Sequence, residues 1–500
     1  MLDMPNSPLL SIATYWHVSY LRCDPKPKII PNEKHAFGVN VMKLLVKSIF
    51  ASAALATAVL PLTVLADDRE EIKLLKERLA ALETKLNDQD KKITQQDKKV
   101  EETTISLASE IKQTRLGQLI PEKKELKSQW GMGPAASSVY NVDSGLSIGG
   151  YGEANYRAFV EDANGKDNQG DTLRLVTYLG YKFSDNILFN SEIELEHGTT
   201  DDIGGDSGDK SGEVSVEFAY LDFLLEKQFN VRAGNLLIPM GFINEIHEPN
   251  YFYGVLRPDV ERYIIPTTWR EMGMGFFGQG EAAGKLEYRT YLVNGLRASR
   301  FEDTGIRDGR QKGNQALFED VAWTSRLDFS PEAVPGLLVG SSFWIGGSGQ
   351  NEEFNGSYPT VLTTIGEAHA QYNYRLLQLR ALGAWTGIQN AADVSEQNGE
   401  TIANRQDGWY VESAYDILPH LVSGTRQSVA PFLRYERMDT QASVPSGFPR
   451  DGSLDKTIYT VGLSYKPVDK VVIKADYKNY QVDGPTPTAD EVALGLGFVY

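Results

Sequence analysis

From residue 146 to residue 500 the side chains alternate between apolar and polar one residue at a time, and this period of two constrains the fold more than any other feature. In 187–196, Ile187, Phe189, Ile193 and Leu195 fall on one side, opposite Asn190, Glu192, Glu194 and Glu196. In 284–292, Leu286, Tyr288 and Leu292 oppose Lys285, Glu287 and Arg289, and in 471–478, Val471, Ile473, Ala475 and Tyr477 oppose Lys474, Asp476 and Lys478. The pattern predicts strands over 146–159, 172–183, 187–197, 213–225, 229–237, 272–280, 284–295 and 320–329. It predicts eight more over 336–347, 360–374, 376–388, 406–416, 428–438, 457–466, 470–482 and 490–500. That is an even number of segments, each of roughly ten residues, the length a tilted strand needs to cross a bilayer.

The connections alternate as well. Turns such as "SDN" at Ser184, "EKQ" at Glu226, "EAA" at Glu281 and "PVD" at Pro467 are short, whereas "EDANGKDNQGD", "TTDDIGGDSGDKSG" and "AADVSEQNGETIANR" are long and polar. Short turns on one rim and long loops on the other describe an up-and-down antiparallel barrel, not a Greek-key sandwich. About sixteen strands enclose a space too wide for side chains to fill, so the charged faces line water and the apolar faces meet hydrocarbon. The last run, "ALGLGFVY", then pairs with the first strand and removes both edges. The expected fold is therefore an all-β transmembrane barrel of about sixteen antiparallel strands, preceded by a short α-helical coiled coil.

The chain ahead of the barrel divides further. Residues 42–66 read as an export signal: Lys43 and Lys47, an apolar run from Ile49 to Leu60, and a small-residue cleavage site at Val64-Leu65-Ala66. Residues 1–41 are then an upstream extension, with Met42 the expected true start, and Cys23, the sole cysteine, lies in that extension. A mature chain without cysteine holds neither disulfide nor thiolate metal site. Across 67–115 a heptad register places Ile72, Leu79, Leu86, Ile93, Val100 and Leu107 at one core position. Leu75, Leu82, Gln89, Gln96, Thr103 and Glu110 occupy the other, which predicts a periplasmic coiled coil, with the buried glutamines favouring a defined, trimeric register. Residues 116–145, rich in Gly, Pro and Ser toward their end, read as a linker.

The connection 238–271 is too long and too apolar for a loop in water, with Phe242, Tyr251, Phe252, Tyr253, Tyr263, Ile264, Ile265 and Trp269. It is expected to fold into the lumen as a constriction, bringing Glu245, Asp259, Glu261, Arg257, Arg262 and Arg270. Inward parity adds Arg157, Arg174, Arg232, Arg289, Arg326 and Arg380 to the pore lining. Arginine is weakly hydrated, always charged and able to grip carboxylate or phosphate, so the pore is expected to favour small anionic solutes. About half of these arginines are expected instead to pair with inward Glu153, Glu192, Glu194, Glu287 or Glu436.

Other chemistry finds no support. A net charge of −17 argues against a nucleic-acid binder. No nucleophile elbow or phosphate-cradling loop appears, so no catalytic residue, enzyme activity or cofactor is expected. "HEP" at His247 lacks the spacing of a two-histidine metal motif, and the acidic loop 201–213 lacks that of a calcium loop.

At "NVRAGNLLIPMGF", residues 230–242, the chain resembles the phosphate-selective porins and their relatives, in which a Gly-x-x-x-x-Pro-x-Gly pattern (here Gly234, Pro239 and Gly241) leads into the constriction loop. With the coiled coil in front it is similar to the trimeric diffusion porins with a periplasmic N-terminal coiled coil, including dicarboxylate and sucrose porins. The resemblance implies a homotrimer in a Gram-negative outer membrane, in contact with lipopolysaccharide, inserted by the barrel-assembly machinery through its C-terminal strand. A structural barrel tethered to peptidoglycan by the coiled coil is the alternative, since a helix over 71–110 reaches about 60 Å.

Overall fold

A computed structural model describes residues 67–114, 127–163, 165–200 and 212–500. The expected extension and leader lie outside these residues, as do 115–126 of the expected linker and most of the acidic loop. The chain divides into two units, 1–121 and 122–500. In the first, α1 (Asp67–Thr114) is one unbroken helix on which Leu79, Ile93 and Val100 stand exposed. Its length follows from a sequence free of Gly and Pro.

The second unit is a closed barrel of 16 antiparallel strands in which each strand pairs with its neighbours in sequence and the last pairs with the first. β1 (Gly145–Phe159) and β2 (Gln169–Ser184) are followed by β3 (Ile187–Glu196) and β4 (Val214–Glu226). β5 (Phe229–Leu237) and β6 (Arg270–Glu281) flank the longest connection, and β7 (Gly284–Asn294) and β8 (Val321–Pro331) come next. The wall continues through β9 (Leu337–Gly347), β10 (Leu362–Tyr374), β11 (Leu377–Ile388) and β12 (Arg405–Tyr415). It ends with β13 (Ser428–Ser443), β14 (Asp455–Val468), β15 (Val471–Val482) and β16 (Glu491–Val499).

Closure runs from Tyr151 opposite Val499 to Phe159 opposite Glu491. Tyr500 extends it: its N–H donates to the Gly150 carbonyl at 2.9 Å and its carbonyl accepts from Gly150 N–H at 3.2 Å. Each strand keeps its alternation. On β2, Arg174, Val176 and Tyr178 are buried inside while Leu175 and Tyr181 are exposed outside. Exposed rings and aliphatic chains, among them Trp323, Trp385, Trp409, Leu463, Leu494 and Phe498, continue around the wall. A contiguous apolar surface of this extent needs a cover other than water.

Two boundaries differ from the sequence reading. Arg270 and Glu271, expected in the long connection, open β6, where they pair with Leu237 and Leu236. More consequentially, the segment expected as a linker is packed inside the barrel from residue 129 onward: Met132, Ala135, Ala136, Ser137 and Val139 are all buried. Its Gly-Pro-Ala-Ser composition suits tight packing as well as it suits a free tether. Composition alone does not separate the two.

Candidate functional site: the barrel lumen

The connection after β5 turns into the lumen at Gly241, whose φ is +66°. A Cβ there would stand 2.5 Å from a Glu261 carboxylate oxygen, so a side chain is excluded by both backbone and space. Asn244 closes the base of the excursion: its amide donates to the carbonyls of Ile238 at 2.7 Å and Trp269 at 2.8 Å, and its oxygen accepts from Trp269 N–H at 2.6 Å. Ile238, Met240, Ile243, Ile264, Ile265 and Trp269 form its dry base, with Trp269 against Trp344 of β9 at 5.5 Å.

Beyond that base the segment crosses to the far wall. Lys474 donates to the Gly254 carbonyl at 2.9 Å, and Asp476 accepts from Val255 N–H at 2.6 Å. A short helix, Asp259–Tyr263, is held by Lys478 on Asp259 (2.5 Å), by Glu436 accepting from Val260 N–H (3.2 Å) and by Tyr410 donating to Glu261 (2.6 Å). His247 contacts Glu192 at 3.1 Å and the Asn244 carbonyl at 3.1 Å. The connection 238–269 thus spans the interior between β5 and β12–β15.

The expected pore-lining residues separate into two groups. Most arginines are ion-paired along the wall. Arg157 meets Glu491 at 2.7 Å, Arg174 meets Glu153 at 2.5 Å, Arg232 meets Asp222 at 2.8 Å and Arg270 meets Glu217 at 2.6 Å. Arg289 and Arg326 share Asp328 at 2.6 and 2.8 Å, and Glu245 lies 2.9 Å from Arg289. These pairs, apart from Arg157, are buried. Glu245, Asp259 and Glu261 are likewise consumed by local partners.

Arg257, Arg262 and Arg380 differ, having no carboxylate partner among the described residues. Arg262 is exposed over the Tyr263 ring at 5.3 Å. Its carbonyl accepts from Arg307 at 3.2 Å, and the Arg307 carbonyl accepts from Arg310 at 2.6 Å. Burial together with Arg310, Arg262 and Arg257 pushes the Arg307 pKa down. Burial and then Arg174 do the same to Arg257. A guanidinium does not give up its proton under such pressure, so the cluster concentrates positive charge on this side of the lumen. Arg307 and Arg310 were not singled out from sequence, although "GIRDGRQKG", carrying both, is a signal that an unusually basic loop sits among acidic ones.

At the short-turn end, Arg380 recurs in a cavity of about 220 Å³. Its lining includes Tyr251, Tyr253, Gln371, Asn373 and Lys466 and contains no carboxylate. Arg380 donates to Gln371 at 2.7 Å and to the Tyr251 carbonyl at 2.8 Å, and Lys466 donates to the Asn250 carbonyl at 2.9 Å. Neither forms an ion pair among the described residues, although Glu412 lies opposite Arg380 in the ladder.

No protein-family model matches the chain. An uncharacterized protein of Aquifex aeolicus (strain VF5) is 38% identical over 382 residues, covering 73% of this chain and 82% of that one. Among solved structures, OmpF of Salmonella typhi in complex with daunomycin aligns at 12% identity and a TM-score of 0.44, covering 72% of this chain and 99% of the other. The outer membrane channel DcaP of Acinetobacter baumannii aligns at 13% identity and a TM-score of 0.44, covering 71% and 97%.

Proposed function

The chain belongs to one family with the Aquifex aeolicus protein, and we propose that its barrel is a passive channel of a Gram-negative outer membrane that favours small anionic solutes. The supporting observation is the division of lumen charge. Wall arginines are neutralised by carboxylates, whereas Arg257, Arg262 and Arg307 on the long-loop side and Arg380 and Lys466 on the short-turn side are not. An anion following the wet path meets unpaired cations at both ends, while carboxylates without a basic partner, such as Glu248, Glu261 and Glu271, are buried and turned to neutral donors. The connection 238–269 serves as the constriction, and its bonds to β12–β15 fix how far it narrows the passage. The apolar outer wall supports the bilayer setting, with long loops facing lipopolysaccharide outside and Phe498 and Tyr500 presented to the insertion machinery.

The exposed row Leu79, Ile93 and Val100 on α1 supports self-association through a coiled coil, and with it a homotrimer. Phosphate selectivity belongs to the reading only as one anion among several, since nothing in the lumen discriminates phosphate from carboxylate. The reversal potential across a planar bilayer in a KCl gradient tests the function. Anion preference is expected, and clear cation preference refutes it. A tethered structural barrel is favoured by one observation, the two inserted segments that occupy much of the lumen; absence of conductance steps from purified protein would select it.

A further inference from the structure

The segment packed inside the short-turn mouth has a position and a fastening that its place between helix and barrel does not require. Ala135 N–H donates to a Glu248 carboxylate oxygen of the constriction segment at 2.9 Å. Asn190 of β3 donates to the Ala136 carbonyl at 2.9 Å, and Lys182 of β2 to the Val142 carbonyl at 3.0 Å. Tyr140 donates to Asp222 of β4 at 2.6 Å and accepts from Arg232 of β5 at 2.9 Å. The Trp130 ring meets Phe277 of β6 edge-on at 5.3 Å. Attachment therefore runs across the wall from β2 to β6.

The wall is also shaped for the segment. A Cβ at Gly180, on the inward face of β2, would stand 2.6 Å from Val139, and one at Gly149 of β1 would stand 3.1 Å from the Ala135 carbonyl. Two wall glycines thus open notches where the segment sits. A chance contact would not need them.

We propose that residues 127–144 are a built-in plug that closes the β1–β7 side of the short-turn mouth and confines solutes to the cavity beside Arg380 and Lys466. The proposal rests on the channel reading. It adds a cause for the narrow exit: the segment covers Asn190 and the Asp222–Arg232 pair, which leaves the cavity beside Arg380 and Lys466 as the open side of the mouth.

The test compares single-channel conductance of the leader-free full chain with that of a chain starting at Gly145. The truncated barrel, its folding verified by heat-modifiable migration, is expected to conduct roughly 1.5- to 2-fold more, because conductance follows open cross-section. Equal conductance from a folded truncated barrel overturns the plug. Should truncation prevent folding, Ala136→Cys in the leader-free chain, which holds no other cysteine, serves instead. Its thiol is expected to resist a polar alkylating reagent, and adding Tyr140→Phe and Asn190→Ala should speed labelling roughly tenfold and raise conductance. Rapid labelling without those two changes overturns the proposal. If both chains are silent in the bilayer, the channel reading falls, and protection at position 136 still supports the docked segment separately.

Discussion

Arg257 and Arg289 line the same lumen and carry the same charge, yet substitution should affect them in opposite ways. Arg289 is buried between Asp328 and Glu245, so Arg289→Ala removes one of the two guanidiniums on Asp328 and leaves buried Glu245 with only Arg326, at 3.8 Å. The expected result is a barrel destabilised by about 2–3 kcal/mol, below the full cost of an orphaned buried charge because Arg326 remains, read as a lower unfolding midpoint in detergent. Arg257 and Arg262 form no ion pair with a carboxylate among the described residues. Arg257→Ala with Arg262→Ala should leave the unfolding midpoint within about 0.5 kcal/mol of wild type and cut the anion-to-cation permeability ratio several-fold. A double variant that unfolds easily but keeps its selectivity contradicts this assignment. Glu248 permits a pH test at the same scale. Burial raises its pKa from 4.5 to about 7, against the lowering effect of bonds from Ala135 and Ala136 N–H. A folded pKa above the unfolded one means that the protonated form favours folding. That stability is fully present below pH 4.5 and is lost as pH rises through about 7, with a ceiling of roughly 3 kcal/mol. Glu248→Gln should flatten this part of the pH profile between pH 5 and pH 8.5, and identical slopes would show that Glu248 does not titrate in this range.

Among the elements, legibility in the sequence follows the range of the interactions involved. Strand alternation is local, and all sixteen segments appear within a few residues of their expected positions, as in 229–237 against Phe229–Leu237. The inward course of 238–269 was also legible, because its rings had nowhere dry to go except against the wall. The plug was not. Its fit depends on Gly180 and Asn190, which lie 41 and 54 residues beyond Val139 and Ala136 and carry no local mark of that role. Ion pairing is under-read from sequence: about half of the wall arginines are expected to pair, yet Arg157, Arg174, Arg232, Arg289 and Arg326 all do, and the choice of Glu153 for Arg174 or Asp328 for Arg289 is set by cross-strand register and side-chain reach. For α1, the apolar row at Leu79, Ile93 and Val100 is solvent-exposed in a single chain, a condition a long helix relieves by association. A peptide covering 67–114 should be helical and sediment as a trimer, and Ile93→Asn with Val100→Asn should convert it to a weakly helical monomer. A wild-type peptide that stays monomeric at millimolar concentration removes the oligomerisation role.

On the scale of the whole molecule there is an apparent conflict: a chain of net charge −17 is assigned a preference for anions. Distance resolves it. Charges on outer loops act on an approaching ion through bulk electrolyte, where screening reduces them over about 10 Å at 0.1 M salt and about 3 Å at 1 M. On the channel reading, Arg257 acts from the barrel interior, and Arg380 and Lys466 act on an ion between the walls of their cavity, where little electrolyte intervenes and the local dielectric is low. The two contributions have opposite sign and different salt dependence. Raising ionic strength should therefore weaken the repulsion from the acidic exterior more than the attraction inside. Reversal potentials measured with a fixed tenfold gradient should report anion preference at 1 M against 0.1 M salt at least as strong as at 0.1 M against 0.01 M. Replacing Arg257 and Arg262 should reduce it in both regimes. An anion preference that appears only at low salt and vanishes at 1 M would assign selectivity to long-range surface charge, and the inner cations would then have no part in it.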